Sequence, residues 1–129
     1  MKHILIIDDM KASSSLLSKC LYKHYPEVKV KTLTSGNDIY DHLANSEKYD
    51  LIFLDIMMPE KDGPSILKEI RALNTNYTKS IPIIAYTSTE LPDVLKELGF
   101  TDYLFKGTPI CNLLNIMKNH LNIYSSITV

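Results

Sequence analysis

The chain has 129 residues, 45% of them hydrophobic, which suits one domain with a full core and leaves no room for two ordinary domains. Its 14 basic and 15 acidic residues give a net charge of -1, which argues against a dedicated nucleic-acid surface because such surfaces need a basic excess. No apolar run approaches the roughly 20 residues that cross a bilayer, and the short apolar stretch near the N-terminus ends in acid. We therefore predict a cytoplasmic protein without membrane contact.

Along the chain, short apolar runs alternate with stretches of helical spacing, so the sequence predicts a strand followed by a helix five times. The predicted strands cover residues 4–7, 28–33, 51–54, 81–86 and 102–105. The predicted helices have apolar stripes within residues 16–21, 39–44, 64–73, 91–98 and 110–121, and Thr108 and Pro109 would begin the last of them. Several strands lack polar alternation, which is typical of a parallel sheet covered by helices on both faces. We predict an α/β fold with a doubly wound parallel sheet.

The two cysteines, Cys20 and Cys111, lie far apart and show no metal-ligand spacing. Both fall at apolar positions of predicted helices, so we interpret them as reduced thiols in the core. The four histidines are scattered and lack the i, i+4 pairing of a metal-binding helix. Neither residue type points to a zinc site.

Polar side chains follow four of the predicted strands directly. In doubly wound sheets, ligands bind beyond the carboxyl ends of the strands, where the strand order reverses. The residues at those ends are Asp8, Asp9, Asp55, Thr87, Ser88 and Lys106. A single acid in such a place is more often a helix or turn cap, and a single lysine is more often a solvated loop residue. Their joint placement along one edge of the sheet favours a functional site.

Three neighbouring carboxylates repel one another, so either a proton or a cation must lie among Asp8, Asp9 and Asp55. Mg²⁺ is the natural choice because it is a small, hard ion that takes oxygen ligands, and Mn²⁺ can take its place. Asp55 is the best candidate nucleophile, since a carboxylate can accept a phosphoryl group as an aspartyl phosphate. Lys106 and the Thr87 hydroxyl would then bind phosphoryl oxygens.

Four motifs in order resemble one known family over nearly the whole chain. They are ILIIDD at 4–9, LDIMMPEKDG at 54–63, IIAYTS at 83–88 and GFTDYLFK at 99–106. The sequence is similar to bacterial two-component response-regulator receiver domains, of the chemotaxis response-regulator type. The resemblance implies a flavodoxin-like five-stranded sheet with strand order 2-1-3-4-5. It also implies a single receiver domain over residues 1–129, with no output domain in this chain.

The resemblance implies a role for each matching residue. Asp55 would take the phosphoryl group from the phosphohistidine of a histidine kinase or phosphotransfer protein, or from a small phosphodonor. Asp9, Asp55 and the Met57 backbone carbonyl would bind Mg²⁺ directly, and Asp8 would act through water.

The remaining implied roles concern the conformational switch. Lys106 would contact the phosphoryl group, Thr87 would move toward it, and Tyr103 would rotate inward to fill the vacated space. The switched domain would act on a downstream protein target or on an output domain outside this chain, without binding nucleic acid itself. In this reading the chain is not a turnover enzyme and assists only its own phosphorylation and dephosphorylation.

The sequence departs from the family pattern at three places. Gly107 follows Lys106 where the family commonly has a proline, and the proline comes later, at Pro109. The stretch from Thr87 to Lys106 is shorter than usual, which is expected to trim the helix or loop between them. Phe100 replaces a residue that is often small. All three changes lie near the face that the family uses for output.

Three other functions compete with phosphoacceptance. An aspartate-nucleophile phosphatase would need a second acid two residues after the nucleophile, but that position is Met57. A flavodoxin-like cofactor binder would need a phosphate loop rich in Gly, Ser or Thr after the first strand, where this chain has Asp8 and Asp9. A docking module that works without phosphorylation remains open, although it would have no need of the full acid set.

Overall fold

Five parallel strands form one sheet in the order β2-β1-β3-β4-β5. Their bounds are β1 (His3–Ile7), β2 (Lys29–Leu33), β3 (Leu51–Asp55), β4 (Ile83–Thr87) and β5 (Asp102–Phe105). The computed structural model describes residues 1–73, 75–88, 92–107 and 109–127. The predicted α/β fold with strand order 2-1-3-4-5 is confirmed.

Six helices connect or follow the described strands. Their bounds are α1 (Lys11–His24), α2 (Ile39–Asn45), α3 (Gly63–Ala72), α4 (Asn76–Ser80), α5 (Pro92–Leu98) and α6 (Ile110–Leu121). Pro64 lies in the first turn of α3, where its missing N–H costs nothing. Gly99 follows α5 with a φ of 106°, a left-handed conformation that favours glycine at a helix end.

The sheet divides the core into two layers. Leu5, Ile7 and Leu54 face the layer that holds α2, α3 and α5. Ile6 and Phe53 face the other layer, which holds α1 and α6. Alternate side chains of one strand therefore enter different layers, and every residue of β3 and β4 is buried. This two-sided burial explains why these strands lack polar alternation.

The edge strand β2 and the helix α4 differ from the sequence-based expectation. Alternate positions in the predicted strand 28–33 would share one face of the sheet. Of these, Val28 is buried and Val30 half-buried, but Thr32 is exposed because β2 has a neighbour on one side only. Helix α4 was not predicted, because its five residues have no apolar stripe. Thr75 caps it reciprocally with Thr78, and the Arg71 guanidinium donates to carbonyl oxygens at its C-terminal end.

Several apolar helix positions lie at the surface instead of in the core. Leu16 is 60% exposed, Val94 is 46% exposed and Ile110 is 40% exposed. Cys111 is also exposed, so the prediction of two core thiols is wrong for that residue, while Cys20 is half-buried and both are free. Helical spacing identifies an apolar stripe, but the neighbouring elements decide how much of it is covered. The predicted helix positions 91 and 108 lie outside the described residues.

Across the described residues, the helices are all too short or too polar to cross a bilayer.

Candidate functional site

The carboxyl ends of the strands bring the predicted site residues to one edge of the sheet. Asp8 directly follows β1, and its backbone N–H donates to the Leu33 carbonyl at the end of β2, at 3.0 Å. Asp55 is the last residue of β3 and Thr87 the last of β4. Lys106 follows β5, and its N–H donates to the Thr87 carbonyl at 2.7 Å. The sheet itself therefore fixes the backbone beneath these side chains.

Three carboxylates converge at this edge. One oxygen atom each of Asp8, Asp9 and Asp55 lies within 4.8 Å of the others. Asp8 is fully buried and Asp55 is 4% exposed, whereas Asp9 is exposed to solvent. One side is therefore open to solvent, while the floor of the cluster is buried.

The Lys106 ammonium lies against two of these carboxylates. Its Nζ atom is 3.1 Å from Asp8 Oδ2 and 3.5 Å from Asp55 Oδ2, and the side chain is 17% exposed. A single positive charge thus faces a cluster of three acids. Because one ammonium offsets only one of three negative charges, the site keeps an affinity for a further cation.

Backbone N–H groups orient the two buried acids. The Met10 N–H donates to Asp8 Oδ1 at 2.9 Å, and the Met57 N–H donates to Asp55 Oδ1 at 3.3 Å. Asp8 Oδ2 is buried and has its ion pair with Lys106, but it has no hydrogen-bond partner within the described residues. An under-satisfied buried carboxylate oxygen at the centre of an acidic cluster is suited to a cation or to a water bound to one.

Burial and the neighbouring charges perturb the Asp55 carboxyl. The pKa of this carboxyl is raised from 3.8 to about 6, first by burial and then by the close approach and negative charge of the Asp8 carboxylate. The Lys106 ammonium and the Met57 N–H act in the opposite direction and lower that pKa. The Asp55 carboxylate is therefore still mostly ionised at neutral pH, as a nucleophile must be, but its charge is poorly compensated.

The donor set fits Mg²⁺ or Mn²⁺. The side-chain ligands in the cluster are all carboxylate oxygens, which hard divalent ions prefer, and the described residues place neither histidine nor cysteine among them. The Met57 backbone carbonyl remains a predicted ligand that rests on the resemblance. The Met57 side chain is 72% exposed and lies outside the buried part of the site.

The loop after β3 folds back onto Asp55. The Gly63 N–H donates to the Ile56 carbonyl at 2.8 Å, and a Cβ atom on Gly63 would lie 2.5 Å from the Asp55 carbonyl oxygen. Asp62 caps α3 by accepting the Ser65 N–H at 2.9 Å. The Asp-Gly pair of the sequence motif thus closes the loop tightly over the backbone of the phosphoacceptor candidate.

The predicted switch residues occupy different environments. Thr87 is 2% exposed, whereas Tyr103 is half-buried and stacks at a tilt on Phe105 with 4.9 Å between ring centroids. After Lys106, Gly107 has a φ of 81°, and the described peptide bonds are all trans. The loop therefore turns through a left-handed glycine where the family commonly has a proline. The switching roles of Thr87 and Tyr103 stay predictions.

A cleft of about 250 Å³ opens beside the exposed Asp9. It lies between the loops after β2 and β3, and its walls include Ser35, Met58 and Lys61. The cleft gives a small phosphodonor room to approach the cluster. A larger cavity of about 650 Å³ lies at the opposite edge of the sheet near Tyr25 and contains none of the site residues, so size alone does not locate the chemistry here.

One residue in contact with the site was missed from the sequence. Tyr86 is 5% exposed, and its ring centroid lies 5.1 Å from the Lys106 Nζ atom. It was interpreted only as part of an apolar strand. Its place in the sequence, one residue before Thr87, could have revealed it. In a strand that pairs in parallel with β3, that position lies beside Asp55.

Residues 4–118 match the family model described as the response regulator receiver domain. The chain belongs to this family. The receiver domain is a module of two-component response regulators, and the resemblance inferred from the four sequence motifs is confirmed. The assignment of residues 1–129 to a single domain without an output domain stays a prediction.

Two relatives of similar sequence are longer proteins. This receiver domain is 33% identical over 121 residues to a probable cyclic di-GMP phosphodiesterase of Vibrio cholerae and 31% identical over 122 residues to the transcriptional regulatory protein RstA of Escherichia coli. These matches cover 92% and 94% of this chain, but only 26% and 48% of those proteins. The chain therefore spans about half or less of the length of these relatives.

Solved receiver structures share the fold, and some hold a metal ion. The receiver domain of a sensor histidine kinase from Pseudomonas aeruginosa, with magnesium coordinated in its active-site cleft, is 25% identical with a TM-score of 0.79 over 95% of this chain and 98% of that chain. The response regulator TrrA of Thermotoga maritima, in complex with Mg²⁺ and BeF, is 27% identical with a TM-score of 0.77 over 92% and 98%. The chemotaxis protein CheY4 of Vibrio cholerae, at 24% identity and a TM-score of 0.79 over 93% and 98%, shares the fold.

Proposed function

We propose that this receiver domain takes a phosphoryl group on Asp55 in a step that depends on Mg²⁺. The observation that carries the proposal is the convergence of the Asp8, Asp9 and Asp55 oxygens within 4.8 Å, with the Lys106 ammonium on the same cluster. The solved receivers that contain Mg²⁺ or Mn²⁺ support the same choice of ion. The domain would thereby act as the phosphoacceptor of a two-component pathway.

Each residue has a defined task in this mechanism. Asp8, Asp9, Asp55 and the Met57 carbonyl would hold Mg²⁺, and the bound ion would supply charge neutralisation for the phosphoryl group. An Asp55 oxygen attacks the phosphorus of a phosphohistidine, so that a P–O bond forms while the P–N bond breaks. The leaving imidazole nitrogen keeps the electron pair of that bond and takes up a proton.

The other two site residues bind the transferred group. The Lys106 ammonium is already 3.5 Å from Asp55 Oδ2 and can bind a phosphoryl oxygen with little movement. The Thr87 hydroxyl ends the neighbouring strand and would bind another oxygen after a shift toward Asp55. Phosphorylation adds nearly two negative charges, which favour the arrangement in which both donors reach the group. Tyr103, half-buried on β5, would report that shift to the surface.

The proposed donor is a histidine kinase or phosphotransfer protein, and the proposed receiver of the signal is a downstream protein or an attached output domain. We place the domain in the cytoplasm, where the two free cysteines would stay reduced. Turnover of phosphate esters is not proposed, because the position that a phosphatase would need for its second acid is the exposed side chain of Met57.

The test is formation of a phosphoryl adduct that hydroxylamine and alkali remove, measured by intact mass spectrometry after incubation with acetyl phosphate or phosphoramidate and Mg²⁺. We expect an adduct on the wild-type chain and none on Asp55→Asn. Asp50→Asn is a matched control, because Asp50 precedes the same strand and accepts the His3 N–H at 2.8 Å at the opposite edge. It should keep the adduct.

Two results would overturn the proposal. The same adduct on Asp55→Asn would exclude Asp55 as the acceptor. An unmodified wild-type chain that also fails to bind beryllofluoride with Mg²⁺ would favour a docking module that works without phosphorylation.

A further inference from the structure

We propose that Tyr86 is a positioning residue that holds the Lys106 ammonium beside Asp55 and so strengthens binding of the phosphoryl group. This inference rests on the proposed function, because it concerns the same site. It assigns a task to a side chain that the metal and phosphoryl chemistry leaves unused.

The Tyr86 ring is fixed on two sides. It is 5% exposed and meets the Phe53 ring edge to face, with centroids 6.4 Å apart and planes at 71°. Its hydroxyl donates to the Ser13 carbonyl of α1 at 3.4 Å. The strand below it is paired on both sides, with Tyr86 opposite Asp55 of β3 and Leu104 of β5. A ring anchored in this way cannot move aside without disturbing the core.

The Lys106 side chain, by contrast, has no rigid frame of its own. Lysine has a flexible four-carbon stem and three donors without a preferred direction, so its ammonium needs surrounding groups to fix it. Two of those groups are Asp8 Oδ2 at 3.1 Å and Asp55 Oδ2 at 3.5 Å. The third is the Tyr86 ring, whose centroid is 5.1 Å from Nζ, within the range of a cation–π contact.

The ring differs from the two carboxylates in one respect that matters for the reaction. When a cation occupies the cluster, the carboxylates of Asp8 and Asp55 offer the ammonium less negative charge, and phosphorylation moves the negative charge of Asp55 outward onto the phosphoryl oxygens. The attraction of the aromatic face is unchanged by either event. Tyr86 therefore keeps the Lys106 ammonium beside Asp55 in the unphosphorylated and in the phosphorylated site. The phosphoryl group then binds an ammonium whose side chain is already ordered, so little conformational entropy is lost.

The test compares variants by their affinity for beryllofluoride at saturating Mg²⁺, measured by NMR titration. Tyr86→Leu removes the ring but retains an apolar strand residue, and Tyr86→Phe retains the ring but loses the hydroxyl. We expect Tyr86→Leu to weaken beryllofluoride binding about three- to tenfold, which is the range of a partly desolvated cation–π contact. Tyr86→Phe should restore most of the affinity, and the affinity for Mg²⁺ alone should change less than about twofold in both.

Two further measurements separate positioning from general loosening of the core. Tyr25→Leu is the matched control, because Tyr25 is also 5% exposed and lies in the same core layer at the opposite edge of the sheet. It should leave beryllofluoride affinity unchanged despite its cost in stability. In a Lys106→Ala background, Tyr86→Leu should cause no further loss of affinity, because the residue through which it acts is gone.

The outcomes distinguish this inference from the proposed function. If the wild-type chain does not bind beryllofluoride with Mg²⁺, the proposed function itself fails. If the wild type binds but Tyr86→Leu binds equally well, the positioning role is wrong. The role is also wrong if Tyr86→Phe weakens beryllofluoride binding as much as Tyr86→Leu does. It is equally wrong if Tyr86→Leu weakens that binding by the same factor in the Lys106→Ala background as in the wild type. Upfield-shifted ε protons of Lys106 in the wild type and in Tyr86→Phe, produced by the ring, would support it.

Discussion

The two edges of the sheet use aspartates in opposite ways. The amino edge is the edge at which the strands begin. There Asp50 accepts the His3 N–H at 2.8 Å. Asp102 accepts the Tyr103 N–H at 2.8 Å and also pairs with His120 at 2.9 Å. At the carboxyl edge, the acids Asp8 and Asp55 face each other and share one lysine. The first edge satisfies its carboxylates with partners in the fold. The second leaves negative charge uncompensated.

This difference shows how to distinguish aspartates with a structural role from aspartates with a functional role at the ends of strands. Acids at both edges accept hydrogen bonds from the fold, but a carboxylate that also lies against other carboxylates costs stability until a bound ligand offsets the repulsion. Both kinds are aspartates at strand ends, so residue type does not distinguish them. The groups that contact each carboxylate do distinguish them. Variants at the two edges test this distinction, and the change that we expect to be largest is in metal binding.

The strongest contrast is expected in metal binding. Asp8→Asn removes a buried negative charge from the carboxyl edge while keeping the shape of the side chain, and we expect Mg²⁺ affinity to fall roughly ten- to a hundredfold. Asp50→Asn, at the amino edge, should leave it unchanged. Isothermal titration with Mg²⁺ measures both. Equal losses in the two variants would contradict the division between the edges.

The second contrast is in the pH dependence of stability without metal. The folded-state pKa of Asp55 is about 6, against 3.8 for an unperturbed carboxyl, so the folded protein binds more protons between those values. Its contribution therefore stabilises the fold at low pH, and that contribution, on the order of 3 kcal/mol, is lost as pH rises through about 6.

Other carboxylates also titrate in that window, so the comparison is made against Asp55→Asn in EDTA by urea unfolding. We expect the variant to be more stable than the wild type at pH 7, with an advantage that shrinks toward pH 4. Addition of Mg²⁺ should stabilise the wild type more than the variant at pH 7. A constant difference across the pH range would show that Asp55 carries no raised pKa.

A third variant tests whether location at the carboxyl edge is enough to make an acid functional. Asp62 lies in the loop after β3, but it caps α3, and hydrogen bonds from Ser65 lower its pKa. We expect Asp62→Ala to lower the free energy of unfolding by about 1 kcal/mol through loss of the cap, and Asp62→Asn to cost much less. Chemical denaturation measures both, and equal costs would show that the capping oxygen is unimportant.

The smallest effect is expected at the partly exposed pair of the amino edge. His120→Ala removes the partner of Asp102, and we expect a cost of about 0.5 kcal/mol because both side chains are reached by solvent. The variant should bind Mg²⁺ and beryllofluoride like the wild type. A change in either affinity would mean that the amino edge communicates with the site.

Most strands could be predicted from the sequence, because runs of buried residues in a parallel sheet are conspicuous. The third strand was predicted at 51–54 and observed as Leu51–Asp55, whereas the fourth was predicted to begin two residues before Ile83. Helix α4 could not be found, because Arg71 and a threonine capping box stabilise it without an apolar stripe. The exposure of Val94 and Ile110 could not be predicted either. The spacing of apolar residues along one helix does not show how far the neighbouring elements extend to cover them.

Of the site, the sequence by itself determined the residue types and their order along the chain. Apolar strands that end in acid, hydroxyl and amine place that chemistry at one edge of any parallel sheet, since all the strands run the same way. Only the tertiary structure decided how these groups interact. Burial and the approach of Asp8 set the pKa of Asp55, and the pairing of β4 with β3 places the Tyr86 ring under Lys106. Both depend on distances between residues far apart in sequence, which no local pattern encodes.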